Sequence, residues 1–381
     1  MYNSQLVPNL LPETELLLCC TRTRISSPIA DRVQCLLQQQ IAWSYLLSMA
    51  EKHRVLPLLY HNLKGVCPGA IPAEIVSTLK TRFLENTREN LILTTELLRL
   101  LTVFEANAIA VIPYKGTLLA ASIYGKTAFR QVWDIDLLVD EVDFSQSRSL
   151  LLSEGYTLKE TNDREQSFFH ADRKIEVDLH WGLTPFYFPV DLDFGRLWSR
   201  TKGYTLLGTE VKSFCEEDLL LILCLQVAKD SWERRLHLEH LAKVCDIAEL
   251  LNHYPRLNWS EVTDQARQQG LTRVLHFCLY LAKNLLDADI PSGIWSEVIG
   301  DLIAISLAHQ VCKGLFGDID RSFADSRNSL FDLQFRLKQV IFYLKMRERP
   351  RDWWNHFLEI GRNGLTLLKS RGIISAKQDS A

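Results

Sequence analysis

The 381-residue sequence has nine cysteines but no CxxC pair and no Cys/His spacing of a zinc site. They stand at Cys19, Cys20, Cys35, Cys67, Cys215, Cys224, Cys245, Cys278 and Cys312. An odd number scattered through apolar helical contexts reads as buried free thiols in a reducing compartment, not as a disulfide framework. Neither sign of charge dominates. Lys and Arg total 43 against 46 Asp and Glu, a net charge of −3. That balance excludes a global attraction to nucleic acid or anionic membrane and leaves only a local basic patch as a route to either. Long apolar runs are missing too. The greasiest stretch, Leu219 to Ala228, is far too short to span a bilayer. The N-terminus has no secretory pattern, since its first basic residue is Arg22 and Glu13 and Glu15 interrupt its apolar character. The expectation is a cytoplasmic protein with no membrane partner, and neither an internal repeat nor a low-complexity segment qualifies it.

What is present is ordinary globular composition, 47% hydrophobic and 23% charged, in a chain long enough for two or three domains. Periodicity divides it into three. Residues 1–106 form an N-terminal helical region, with "RVQCLLQQQIAWSYLLSMAEKH" and "RFLENTRENLILTTELLRLLTVFEA" showing three- and four-residue apolar spacing around a break at Pro68-Gly69 and Pro72. Residues 107–212 form an α/β core. "AIAVIPYK" and "DIDLLV" read as strands separated by the helical "TLLAASIYG". "VDFSQSRSLLLSEG" is a helix closed by Gly155, and "QSFFHA" and "KIEVDLHW" are strands joined in a hairpin through Asp172-Arg173. Residues 213–381 are a C-terminal helical domain, opened by a capping box of Ser213 and Glu216. Further amphipathic stretches lie at 236–252, 260–286, 295–315 and 330–347, and a polar frayed tail runs from Ile374. The fold class is α+β, a small mixed sheet flanked by helical regions.

Chemistry concentrates in the core. On a strand, side chains alternate faces, so Asp134 and Asp136 point the same way while Ile135 and Leu137 point the other. Two close carboxylates repel unless a cation lies between them, and Mg²⁺ held by carboxylates beside substrate phosphates is the usual remedy. In "KIEVDLHW" the residues Glu176, Asp178 and His180 share a face, and Asp178 joins the first pair if the two strands are neighbours. Upstream, "YKG" ends a strand and opens a helix, so free N–H groups there, with Lys115, form an anion cradle. Arg130 supplies a further positive charge. Taken alone, Asp-x-Asp is more often a solvated strand end. The combination describes metal-assisted phosphoryl or nucleotidyl transfer.

These residues resemble the polymerase-β-like nucleotidyltransferase superfamily, and within it the bacterial uncharacterised nucleotidyltransferase branch. The resemblance rests on Lys115-Gly116 followed by a small-residue helix, on Tyr124, Arg130 and "DIDLLV", and on "VDLHW" at 177–181. It extends through the flanking helices over most of residues 10–300. It implies that Gly116 and Thr117 contact the triphosphate, that Asp134 and Asp136 hold the metals, Mg²⁺ or Mn²⁺, and that Asp178 is the third metal ligand or the base. Two departures stand out. The spacing from Gly116 to Asp134 is eighteen positions, longer than the superfamily's interval though normal for the branch. The branch's two helical histidines are replaced by Gln226 and Asp230, while Lys229, a candidate phosphate ligand, is kept.

Other residues carry less. Asp246 suits a structural ion pair with Lys229 or a nearby arginine. His180 reads as a hydrogen-bonding neighbour of Asp178. Trp133 and Trp181 flank the acids, where packing is commoner than stacking on a base. "KMRERPR" at 345–351 reads as a solvated helix end. The leading function is transfer of a nucleoside monophosphate from an NTP to an acceptor with release of pyrophosphate. The acceptor is a small molecule, a peptide or protein hydroxyl, or a tRNA end. Acidic net charge argues against a long polynucleotide. The alternatives are a non-catalytic nucleotide-binding scaffold and a purely helical interaction protein, and the second leaves the 107–212 core unexplained.

Overall fold

A computed structural model describes residues 6, 10–162, 164–184, 190, 193–233, 240–316 and 329–354. Five helices come first: α1 (Pro12–Cys20), α2 (Ser27–Leu37), α3 (Trp43–Lys52), α4 (Leu56–Val66) and α5 (Ala73–Ala106). The Pro68–Pro72 break falls between α4 and α5, where a fixed φ and a missing N–H end helical hydrogen bonding. Along the 34-residue α5 the buried positions Asn86, Asn90, Leu93, Leu97, Leu100 and Phe104 recur at three- and four-residue steps, one stripe turned inward.

The core follows as β1 (Val111–Pro113), α6 (Gly116–Tyr124), β2 (Asp134–Val139), α7 (Phe144–Ser153), β3 (Thr157–Asn162), β4 (Glu165–His170) and β5 (Ile175–His180). The sheet order is β1-β2-β5-β4-β3, with β2 and β5 parallel and the other pairs antiparallel. Strand alternation then sorts the side chains. Ile135, Leu137, Val139, Val177 and Leu179 pack with Leu93, Leu97, Leu100 and Phe104 of α5 in one buried cluster. The opposite face of the sheet carries the acids.

That face looks toward the remaining helices. After α8 (Phe194–Ser199) and the hairpin β6 (Lys202–Leu206)–β7 (Thr209–Ser213) come α9 (Glu216–Glu233), α10 (Ala242–His253), α11 (Trp259–Gln269), α12 (Thr272–Leu286), α13 (Ser292–Gly300), α14 (Leu302–Leu315) and α15 (Ser329–Met346). Buried side chains of α1–α4 and of α9–α14 belong to a single cluster, so the two helical regions share a core. No single described helix is long and apolar enough to cross a membrane; α13 and α14 pass such a test only as a pair bent by 81°. All nine cysteines are free and seven are buried.

The structure corrects several sequence expectations. Ser213 is not a helix cap: it ends β7, and its hydroxyl donates to the Pro113 carbonyl at 2.6 Å. The "KMRERPR" segment is not a solvated end. Arg347 has no exposure, pairs with Asp352 at 2.9 Å and donates to the Gln269 carbonyl, while Glu348 accepts from the Thr272 amide. The stretches 260–286 and 295–315 each break into two helices, the first at Gly270, whose φ of +65° suits the left-handed end of a helix. The edge strand β3 and the hairpin β6–β7 had no counterpart in the sequence reading. The tail from Ile374 lies outside the described residues.

Candidate active site

The acids are placed by strand register. β2 and β5 pair so that Asp136 lies directly beside Asp178, and Asp134 beside Glu176. Parallel pairing puts all four on one face, the condition the sequence left open. One ligand atom from each of Asp136, Asp178 and His180 lies within 4.8 Å of the others. Asp134 stands at the head of β2, two residues before Asp136 on the same face.

Each carboxylate has a different environment. Asp136 is buried, and its Oδ1 accepts from Lys115 Nζ at 3.0 Å and lies 3.1 Å from His180 Nε2. Burial opposes its charge, but Lys115 and the His180 hydrogen bond outweigh burial and hold the carboxyl well below the usual range. Asp178 goes the other way. Burial, then the charge on Asp136, pushes it up to about 8, against a hydrogen bond from Ser167. Its Oδ1 is buried with no hydrogen-bond partner. Asp134 is pushed up to about 6 by burial and by Asp136. His180 also faces Glu165, with Nδ1 3.3 Å from Oε2. A buried orphan oxygen and mutually repelling carboxylates are what a hard divalent cation would satisfy, and oxygen donors suit Mg²⁺ or Mn²⁺.

Lys115 and Gly116 make the turn between β1 and α6. Gly116 has φ +60°, a conformation that side chains resist, and a Cβ there would meet the Asp134 carbonyl oxygen at 3.4 Å. Thr117 follows, buried in the first turn of α6. The Lys115 ammonium, 4.7 Å from the Tyr114 ring centre, is committed to Asp136.

The acids form one wall of a cavity of about 240 Å³. Facing residues come from the helical regions: Arg54 from the α3–α4 turn, Gln226 and Lys229 from α9, His240 before α10, and Lys243 on α10. Burial and the nearby charges of Lys115, Lys229, Arg54 and Arg130 lower Lys243 to about 7, although Lys243 pairs with Asp230. Sequence reading missed Arg54, His240, Lys243 and Glu165, because nothing local marks residues that meet only through tertiary packing. The α3–α4 turn is fastened there by the Ala242 amide to the His53 carbonyl at 3.1 Å and by His240 Nδ1 2.6 Å from the Lys52 carbonyl oxygen.

Arg130 lines the cavity, but its guanidinium is bidentate on Asp246, with both contacts at 2.9 Å, and Tyr124 donates to the same carboxylate at 2.6 Å. This is the ion pair anticipated for Asp246, with the nearby arginine, Arg130, as its partner. Gln226, one of the two departures from the branch pattern, donates to the Leu183 carbonyl at 3.1 Å and so ties α9 to the segment after β5. Asp230, the other, holds Lys243. Trp181 packs on Phe144 with ring centres 4.0 Å apart, whereas Trp133 lines the cavity.

A family described as "Uncharacterised nucleotidyltransferase" matches residues 39–287, well over half of the chain. The chain belongs to that family. The matched span contains every cavity residue named above, from Arg54 to Lys243. No curated protein and no solved structure matches the chain. Membership thus agrees with what strand register brings together: a largely buried Asp136–Asp178–His180 group compatible with a metal ion.

Proposed function

We propose that this nucleotidyltransferase transfers a nucleoside monophosphate from an NTP to an acceptor, releasing pyrophosphate, in a reaction that depends on a divalent cation. The observation that carries the reading is the register pair Asp136–Asp178, with its unpartnered buried Asp178 Oδ1, on the floor of a cavity walled by cations. Asp134, Asp136 and Asp178 are the proposed ligands of Mg²⁺ or Mn²⁺, and His180 orients Asp136 through its 3.1 Å contact. When bound, the cation supplies neutralisation of triphosphate charge and activation of the attacking group.

The chain's own residues then have distinct tasks. The amides of the Lys115-Gly116-Thr117 turn bind phosphate oxygens at the start of α6. Lys229 and Lys243 face the acids and balance the remaining phosphate charge; placing an anion among them would relieve the repulsion that lowers Lys243. Arg130, also expected at the nucleotide, acts on it indirectly, since its charge is spent on Asp246. The three segments 1–106, 107–212 and 213–381 are proposed as one working unit, because residues from before and after the core in sequence complete its cavity. The acceptor is a small molecule, a peptide or protein, or a tRNA end. Incubation with each α-labelled NTP and Mg²⁺ or Mn²⁺ tests the proposal. Label transfer with stoichiometric pyrophosphate supports it; nucleotide binding without either product favours the non-catalytic scaffold.

A further inference from the structure

Two tryptophans flank the acids, and the structure separates them. Trp181 is packed against Phe144. Trp133, immediately before Asp134, is 58% exposed and lines the cavity. Its neighbour Val132 is buried and the lead-in 131–133 is not strand, which lets the indole leave the face that alternation would assign to it. A large apolar ring thus stands open beside the proposed phosphate site.

The ring is also held. The Arg54 guanidinium lies over it, 5.7 Å from the centroid, a cation–π contact. Arg54 has φ +57°, left-handed backbone that a residue with a side chain adopts only where its surroundings impose it. The imposing contacts are those of its neighbour: His53 is buried, its carbonyl accepts from the Ala242 amide at 3.1 Å, and its Nδ1 accepts from the Leu241 amide at 3.4 Å. The α3–α4 turn is therefore bolted to the start of α10 in a form that brings Arg54 onto Trp133. A flat, partly open, oriented aromatic surface on the cavity wall matches the π-face of a base.

We propose that Trp133, oriented by Arg54, is the shelf on which the nucleobase of the donor nucleotide stacks. The inference rests on the donor reading given above and extends it from the phosphates to the base. Stacking tolerates every base, so the shelf gives affinity with weak selectivity, purines above pyrimidines by a few-fold.

The test compares ATP with inorganic tripolyphosphate, which has the phosphates and no base, by calorimetric titration in Mg²⁺ against wild type, Trp133→Ala, Trp133→Phe and Arg54→Gly. Trp133 is exposed, and glycine accepts the backbone of residue 54, so all three variants should fold. Trp133→Ala is expected to weaken ATP roughly five- to a hundredfold while tripolyphosphate changes less than about twofold, with Phe restoring most of the loss. Arg54→Gly is expected to weaken ATP by a smaller factor. Unchanged ATP affinity in Trp133→Ala, or equal losses for ATP and tripolyphosphate, overturns the shelf while the phosphate site stands. Failure of both ligands to bind wild type overturns the donor reading itself.

Discussion

The two walls of the cavity are built in different ways. The acidic wall is one piece of sheet. Asp134, Asp136 and Asp178 stand on two neighbouring strands, and the backs of those strands, Ile135, Leu137, Val177 and Leu179, are buried in the sheet cluster. The cationic wall is assembled from Arg54, Lys229 and Lys243, carried by three separated helical segments. Carboxylates that repel one another need a rigid base, and strand pairing with a packed back provides it. Lys229 and Lys243, proposed to receive a mobile polyphosphate, ride on helices instead, and Arg54 holds Trp133 beside them. The Arg130–Asp246 pair, with Tyr124, ties the walls together, and Asn90 adds a clamp from α5 by donating to the Thr127 and Arg130 carbonyls at 2.6 and 2.7 Å.

Breaking the acidic wall should have the largest effect. Asp136→Asn is expected to lower label transfer roughly a thousandfold, because a proposed ligand of the charge-neutralising cation is lost. Asparagine, not alanine, is the informative change, since it leaves Lys115 and His180 a polar partner. Circular dichroism and the melting temperature should confirm a folded protein; transfer within about tenfold of wild type would remove Asp136 from the chemistry.

Cutting the tie comes next. Asp246→Ala strands the Arg130 guanidinium against a nearly closed surface, and denaturant unfolding should show a loss of about 3–5 kcal/mol. The joint replacement Arg130→Met with Asp246→Leu should recover much of that stability and keep nucleotide affinity within a few-fold. If instead the double variant is stable and loses the nucleotide, Arg130 touches phosphate after all.

A smaller effect separates cost from use within the acidic wall. Folding raises the Asp178 carboxyl from 3.8 to about 8, so the folded chain keeps a proton that the unfolded chain has released. Stability from this group therefore falls as pH rises from about 4 to about 8, and stays low above it. Asp134, raised to about 6, acts in the same sense below that point, while Asp136, held low, contributes stability that is lost in acid. Asp178→Asn should remove most of the decline and raise stability at pH 8 by on the order of 2 kcal/mol, while abolishing metal-dependent nucleotide binding. Urea midpoints at pH 5 and pH 8 read this directly, and an unchanged pH slope would contradict it.

The cationic wall should yield the mildest change. Lys243→Gln is expected to weaken NTP binding about tenfold with little change in melting temperature, the scale of one phosphate-facing cation that already has Asp230 as partner. No loss of affinity would confine Lys243 to its ion pair.

Much of the acidic wall was legible because its logic is local. Strand alternation in "DIDLLV" and "IEVDLH" fixes which side chains share a face, and only the adjacency of the two strands remained to be supplied. The glycine at 116 was legible for the same reason, as the end of a strand and the start of a helix. Arg54, His240 and Lys243 were not. Each looks like a surface residue on an amphipathic helix, and tertiary contacts such as those of Lys52 and His53 with His240, Leu241 and Ala242 bring them together. The hairpin β6–β7 stayed hidden because its turn places Leu207 at φ +49° ahead of Gly208, where the usual signal is Asn-Gly or Asp-Gly. The edge strand β3, "TLKETN", is exposed throughout and so lacks the alternation that burial writes into a sequence. Ser213 misled because a Ser-x-x-Glu pattern does not reveal whether its serine is already paired in a strand.

The most direct test of the account is thermal denaturation of the purified protein with ATP, GTP, CTP or UTP, with and without Mg²⁺ or Mn²⁺, while pyrophosphate release is followed. The same series is run on Asp178→Asn. The account predicts that at least one nucleotide raises the melting temperature only when metal is present, that pyrophosphate accompanies it once an acceptor is supplied, and that the variant shows neither effect. Stabilisation by nucleotide without metal, or equal stabilisation of the variant, would contradict the claim that the three carboxylates hold a cation against a triphosphate.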